Sequence, residues 1–186
     1  MYLVTTTLLN SWGYLWKVGE DYEQSAWADF LDLLNKVKKP PNEAMQRGLQ
    51  FEADCMAGMV PGISELIKGG AFQYSASKEI KVGSESVLLY GKIDVLKAGI
   101  IYDIKSTSKY ELQKYHDSVQ HHIYLTLVPN AIKFVYLIND GEHTYQETYR
   151  REEVRPIEPT IDQLYRWLKE RNLWTIYADK WQSRQG

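Results

Sequence analysis

The sequence predicts a single α/β domain built around a mixed sheet, and three observations carry that expectation. Apolar residues recur at helical spacing through the first third of the chain, alternate like strands between residues 72 and 107, and then return to helical spacing. The 186 residues suit one domain with a sizeable core. No repeat, low-complexity tract or linker interrupts them, and 44% hydrophobic with 25% charged residues is an ordinary globular balance.

Thr5 to Thr7 can cap a short helix carrying Leu8, Leu9, Trp12, Leu15 and Trp16. Ser25 precedes a helical stripe of Trp27, Phe30, Leu31, Leu34 and Val37, which Pro40-Pro41 ends. Asn42 caps the next helix, expected to run to about Met59 before Pro61-Gly62, and a brief helix covers Ile63 to Lys68. Phe72, Tyr74, Ala76, Ile80 and Val82, then SVLLYGKIDVL and IIYDIKST, read as three strands joined by tight turns. Residues 109 to 128 return to helical spacing, AIKFVYLIND and HTYQETYRR form a second hairpin across Asp140-Gly141, and the tail from Thr160 is helical. The plan is therefore N-terminal helices over 5–68, a catalytic sheet and helix over 71–128, and a second hairpin with a C-terminal helix over 131–182. In the aromatic tail, Trp167, Trp174 and Trp181 can pack on the core or dock another subunit, packing being the default.

Composition excludes several classes. The net charge of −2 gives no global sign of nucleic-acid binding, although a metal site adds positive charge that the count omits. Cys55 is the only cysteine, so one chain can build neither an internal disulfide nor a four-cysteine zinc or iron–sulfur site. It reads as a small buried hydrophobe. The start MYLVTTTLLNSWGYLWK has no basic segment leading into an apolar core, and no apolar run approaches the roughly 18 residues of a membrane helix. The expectation is a soluble, cytoplasmic protein without a membrane role.

The informative stretch is GKIDVLKAGIIYDIKST, Gly91 to Thr107. A loop at Ala98-Gly99, or over Lys97 to Ile100, sets Asp94 opposite Asp103 and Lys92 opposite Lys105, all on one face, with Ile93 and Ile104 on the other. Opposed carboxylates repel, and a cation between them resolves the conflict. Hard oxygen ligands with room for water indicate Mg²⁺ or Mn²⁺ rather than zinc. A lysine two residues beyond an acid can orient an attacking water and stabilise phosphate charge. A three-residue loop without a bulge would instead separate the aspartates, and a solvated charged face is the alternative reading.

Other positions add to this hairpin. Met45, Leu49, Met56 and Met59 suggest one apolar helix face, in which Glu52 fills a gap, making it a candidate third acid. The alternative is Glu52 at the stripe's edge, reaching solvent or Arg47. In the segment after Lys105, Leu112, Val119, Ile123 and Leu127 are the expected core face, with Gln113, Asp117, Gln120 and Tyr124 on an adjacent one. Glutamine and tyrosine there can contact phosphate, sugar or a base. His121 and His122 point about 100° apart on a helix and cannot easily share an ion, so they read as surface or supporting groups.

Together these residues resemble the PD-(D/E)XK nuclease superfamily, especially its RecB-like and phage-type exonucleases. RGLQFE looks like the first motif, with Gly48 and Glu52; GKID matches G-x-x-D at Asp94; DIK matches (D/E)-x-K at Asp103 and Lys105; QHHIY matches Q-x-x-x-Y at Gln120 and Tyr124. The resemblance spans about Gly48 to Tyr124 and implies a restriction-endonuclease-like core with about five strands. It implies a metal held by Glu52, Asp94, Asp103 and the Ile104 carbonyl, with Lys105 as catalytic lysine. Gln120 and Tyr124 are then both catalytic and nucleic-acid-binding, and Ser106 and Thr107 lie within reach of a phosphate. The implied activity is Mg²⁺- or Mn²⁺-dependent cleavage of single- or double-stranded DNA, as an exonuclease in recombination, repair or phage DNA processing. No iron–sulfur cluster is expected, and a second copy or a recombination partner protein is compatible. The rival readings are a silent nucleic-acid-binding or assembly module, and an endonuclease or RNA-directed nuclease.

Overall fold

The computed structural model describes residues 1–183. The element order is β1 (Tyr2–Thr5), α1 (Thr6–Tyr14), a 3-10 turn (Glu20–Tyr22), α2 (Glu23–Leu34), α3 (Glu43–Met56) and α4 (Ile63–Ile67). Then follow β2 (Ala71–Val82), β3 (Glu85–Lys97), β4 (Ile100–Ser106), α5 (Gln120–Leu127), β5 (Lys133–Asn139), β6 (Thr144–Arg150), a second 3-10 turn (Arg151–Glu153), α6 (Glu158–Glu170) and α7 (Trp174–Lys180). The strands form one mixed sheet in the order β1-β3-β4-β5-β6, with β2 paired to β3. No helix among the described residues is long and apolar enough to cross a membrane.

Most expected elements are present, with two departures. Strand β1 brings the sheet to six strands; four residues running directly into the Thr5 cap give too short an alternation to read as a strand. Thr5 does cap α1, its hydroxyl accepting from Leu8 N at 3.1 Å, and Asn42 caps α3 through Met45 N at 2.9 Å. The helix expected over 109–128 is confined to α5. Residues 111–118 instead form successive tight turns, with Lys114 N on Glu111 O, His116 N on Gln113 O and Ser118 N on Tyr115 O. Gln113 takes a left-handed φ of 64°, and Leu112, expected in the core, is 84% exposed.

The chain forms two compact units. The first comprises Met1–Lys39, Ala76–Gly91 and the chain from Arg155 on. Its sheet part pairs β1 with β3 in parallel, Tyr2 beside Val87 through Thr5 beside Tyr90. Val4, Leu8, Leu9, Phe30, Leu34, Leu89, Leu164 and Leu168 make its core. The tail tryptophans pack as expected: the Trp181 indole donates to Leu34 O at 2.9 Å, Trp174 meets the Tyr2 ring edge-on, and Trp167 sits among Trp12, Trp27 and Phe30.

The second unit comprises Pro40–Ser75 and Lys92–Val154. One face of its sheet is apolar: Val95, Tyr102, Ile104, Val135 and Leu137 pack against Cys55, Ile63 and Ile67 from α3 and α4. Strands β4 and β5 are parallel, so the chain between them must cross back over the sheet, and α5 lies in that crossover. Arg151 closes the helix, its guanidinium donating to the carbonyls of Leu125, Val128 and Ala131.

The β3–β4 turn fixes the register on which the site depends. Ala98 (φ 49°) and Gly99 (φ 74°) form a two-residue left-handed turn, giving Lys97 opposite Ile100, Leu96 opposite Ile101 and Val95 opposite Tyr102. A side chain in that region costs about 1 kcal/mol, so Ala98→Gly is expected to stabilise the protein by about that amount in urea unfolding. Gly70→Ala is expected to lose about 1–3 kcal/mol by overpacking, because its Cβ would lie 2.5 Å from Val95 Cγ1.

Candidate active site

Strand geometry gathers the acids. Continuing the β3–β4 register by one pair sets Asp94 opposite Asp103; the next ladders set Asp103 beside Tyr136 and Tyr136 beside Glu147. Directly paired residues share a face, so these four form a row across the sheet, on the side away from Val95 and Tyr102. The backbone ladder stops before Asp94. Its carboxylate takes the place of a backbone acceptor, with Ile104 N–H donating to Asp94 Oδ2 at 2.8 Å.

Asp103 is 1% exposed. Gln120 Nε2 donates to its Oδ1, and Lys105 Nζ lies 2.6 Å from its Oδ2, yet Oδ2 is enclosed and receives no well-directed hydrogen bond. Tyr124, also buried, donates its hydroxyl to Lys92 O at 2.7 Å. Gln120 and Tyr124 thus brace the acid row from α5. Ser106 is exposed at the end of β4. The Thr107 hydroxyl is engaged by Lys114 Nζ at 2.7 Å and donates to Lys109 O at 2.9 Å.

Glu52 is half-buried and accepts from Gln73 Nε2. The apolar stripe that drew attention to it is not the inward face of α3: Met45, Leu49 and Met59 are each about 60% exposed. The inward face is Phe51, Cys55 and Met56, and Glu52 lies on its border. Cys55 is buried, as expected, and its thiol is pushed up to about 11, chiefly by burial. His121 is no surface group. It is 2% exposed, stacks on Tyr149 at 4.0 Å, and burial lowers it to about 3. Sequence reasoning did not single out Gln73, Tyr136 or Glu147; only the register of the second hairpin would have placed the last two in the row.

The electrostatics follow from removing like charges from water. Burial, then the charges of Asp103 and Glu52, push Asp94 up to about 8. Burial also raises Glu52 and Asp103, with Lys105 opposing it at both. Burial works to lower the Lys105 ammonium, but the charge of Asp103 beside it outweighs this, and the group is held above its usual value. A cation among the carboxylates would relieve this repulsion. The donor set fits a hard divalent ion: two opposed aspartates, a nearby glutamate, and an Asp103 oxygen with no directed hydrogen bond. The arrangement is not a finished cage, because no three His, Cys, Asp or Glu among the described residues form a ready-made metal group. Gln73, Ile104 N–H, Gln120 and Lys105 draw the carboxylates toward protein donors instead.

The site thus lies on a mixed six-stranded sheet flanked by helices, with acids and a lysine on one face. No family model matches the chain, and no curated protein matches it in sequence. Among solved structures it is similar to SSO0001, with 18% identity and a TM-score of 0.58 over 89% of this chain and 74% of that one; the likeness is one of fold. A candidate exonuclease from Eubacterium rectale is similar at 13% identity and TM-score 0.42, over 94% and 68% of the two chains. Rai1 of Scheffersomyces stipitis is similar at 15% and 0.36, over 91% and 61%. At those scores neither likeness carries weight.

A pH dependence follows. The folded protein keeps protons on this cluster that the unfolded chain releases near pH 4. The associated stability is full below that value and is lost as pH rises toward 8, the Asp94 value. Thermal unfolding in EDTA is expected to show a melting temperature that falls from pH 6 to 8, with Mg²⁺ or Mn²⁺ restoring more at pH 8 than at pH 6. Asp94→Asn should flatten both trends.

Proposed function

We propose that the chain is a divalent-metal-dependent nuclease that hydrolyses DNA phosphodiester bonds, an exonuclease being the favoured form. The observation that carries this reading is Asp103: a carboxylate withdrawn from water, opposite a second aspartate, touched by Lys105 and Gln120, with an oxygen left undirected. Opposed buried acids cost stability unless something binds them. The order of Glu52, Asp94, Asp103, Lys105, Gln120 and Tyr124 supports the resemblance to the RecB-like and phage-type group, and DNA as substrate rests on that resemblance.

In this reading Asp94, Asp103, Glu52 and the Ile104 carbonyl hold Mg²⁺ or Mn²⁺. Bound there, the ion supplies an acidified water and neutralises charge at the scissile phosphate. Lys105, kept protonated beside Asp103, orients the water and offers positive charge where the phosphorane forms. Gln120 fixes the Asp103 carboxylate, and Tyr124 ties α5 to the backbone that precedes Asp94. Ser106, exposed where β4 meets solvent, can meet a neighbouring phosphate, whereas the Thr107 hydroxyl is already taken by Lys114 Nζ and Lys109 O.

Asp103→Ala and Lys105→Ala are each expected to lower metal-dependent cleavage of end-labelled DNA by at least about 100-fold, the scale of one lost transition-state contact, with an unchanged circular dichroism spectrum. Wild-type activity in either variant refutes the assignment, and EDTA should stop the wild type. A second reading, a binding module that does not cut, is favoured by one observation: protein donors already engage all three carboxylates. DNA binding that survives EDTA, with no cleavage under Mg²⁺ or Mn²⁺, would select it.

A further inference from the structure

Glu147 is buried on β6, 7% exposed, at the far end of the acid row. Nothing in the proposed chemistry uses it, and a buried carboxylate is costly unless its oxygens are occupied. They are occupied by one segment of chain and its neighbour. Tyr110 OH donates to Oε1 at 2.8 Å, Tyr115 N–H to Oε2 at 3.3 Å, and Tyr149 OH to Oε2 at 3.0 Å.

Tyr110 and Tyr115 belong to residues 107–118, the strap that joins Lys105 to Gln120. The strap is closed on itself at its start, where Lys114 Nζ bonds the Thr107 hydroxyl and Lys109 O. It is strained at Gln113, and such strain gathers where function requires it. Tyr115 lies stacked on Tyr136, with centroids 4.7 Å apart and planes at 22°, and Tyr136 is the direct β-partner of Asp103. Burial raises the Tyr115 hydroxyl, and the charges of Lys105 and Asp103 both reach it. The ring is only half-buried.

The geometry points to residues 107–118 as a strand-binding strap: Tyr115 stacks an unpaired base beside the acids, and Glu147 is the positioning residue that holds it there. This rests on the nucleic-acid reading above. A base within a duplex has both faces covered, so a tyrosine platform next to the acids selects single strands or frayed ends. Exposed Lys109 and Lys114 are balanced on the strap by exposed Glu111 and Asp117, with Lys109 paired to Glu111 at 2.7 Å, so base stacking rather than net charge carries the binding. Glu147 acts through the strap and touches no reacting atom.

The test is binding in EDTA, where no turnover occurs, of fluorescein-labelled single-stranded and duplex 12-mers to the full chain. Tyr115→Ala and Glu147→Ala are each expected to weaken single-strand binding by about ten-fold, the low end of one base stack, and duplex binding by less than two-fold. Hydrogen exchange over 107–118 should rise in Glu147→Ala and stay unchanged in Tyr115→Ala. Should Glu147→Ala fail to fold, Tyr110→Phe removes one anchor and should raise exchange in the same segment. With metal present, Glu147→Ala should raise KM for single strands while kcat stays within about two-fold, since the scissile geometry is untouched. Wild-type-like single-strand affinity in Tyr115→Ala, or unchanged exchange in Glu147→Ala, overturns the strap. Cleavage by the wild type together with that result would leave the nuclease reading standing. Strap-dependent binding without cleavage under any metal would uphold the strap and remove the nuclease.

Discussion

Two carboxylates directly opposed across β3 and β4, on a sheet face largely shut off from water, are the constraint around which the second unit is arranged. Mutual repulsion at short range in a poorly polarisable surrounding is severe, and the neighbouring groups moderate it one by one. Ile104 gives up a ladder hydrogen bond to serve Asp94, Lys105 sets its ammonium against Asp103, and Gln120 fixes the same carboxylate from the crossover helix. The order of the elements follows from this: the crossover required between two parallel strands is where Gln120 and Tyr124 arise. These are the two side chains that reach back to the hairpin.

The hairpin was the most legible part of the sequence because its turn and alternation are local. Ala98-Gly99 determines which residues face one another, and strand alternation then places four charged side chains on one side. Leu8, Leu9 and Trp12 of α1, Phe30 and Leu34 of α2, Ile63 and Ile67 of α4 and the apolar positions of the tail helices were legible for the same reason. Trp16 and Val37, expected on the first two stripes, instead lie past those helices and are exposed. What escaped detection depends on distant partners. Strand β1 is stabilised by parallel pairing with Val87 to Tyr90, 85 residues away in sequence, and has too few residues to announce itself. The row from Asp103 through Tyr136 to Glu147 needs the β4–β5 register, which no turn encodes.

The two misread segments show how side-chain contacts override periodicity. Helical spacing in residues 109–118 was real, but Glu147 captures Tyr110 and Tyr115 and holds the segment in turns. In α3, the methionines and Leu49 repeat at a convincing interval, yet the helix presents Phe51 and Cys55 to the sheet. Glu52 stands beside those two, so it nears the acids for a reason other than the pattern that first marked it.

Arg151 has a consequence for any attempt to trim this chain. Its guanidinium donates to Leu125 O in the helix bearing Gln120 and Tyr124 and to Val128 O and Ala131 O just past it, although it follows that helix by more than twenty residues and lies beyond the second hairpin. A fragment ending at the last recognisable motif residue would carry every acid and the lysine. It would nevertheless end inside α5, without the last turn of that helix, the three carbonyls that Arg151 binds, or Arg151 itself. The smallest piece that preserves the geometry therefore reaches past residue 151, well outside the span in which the motifs lie.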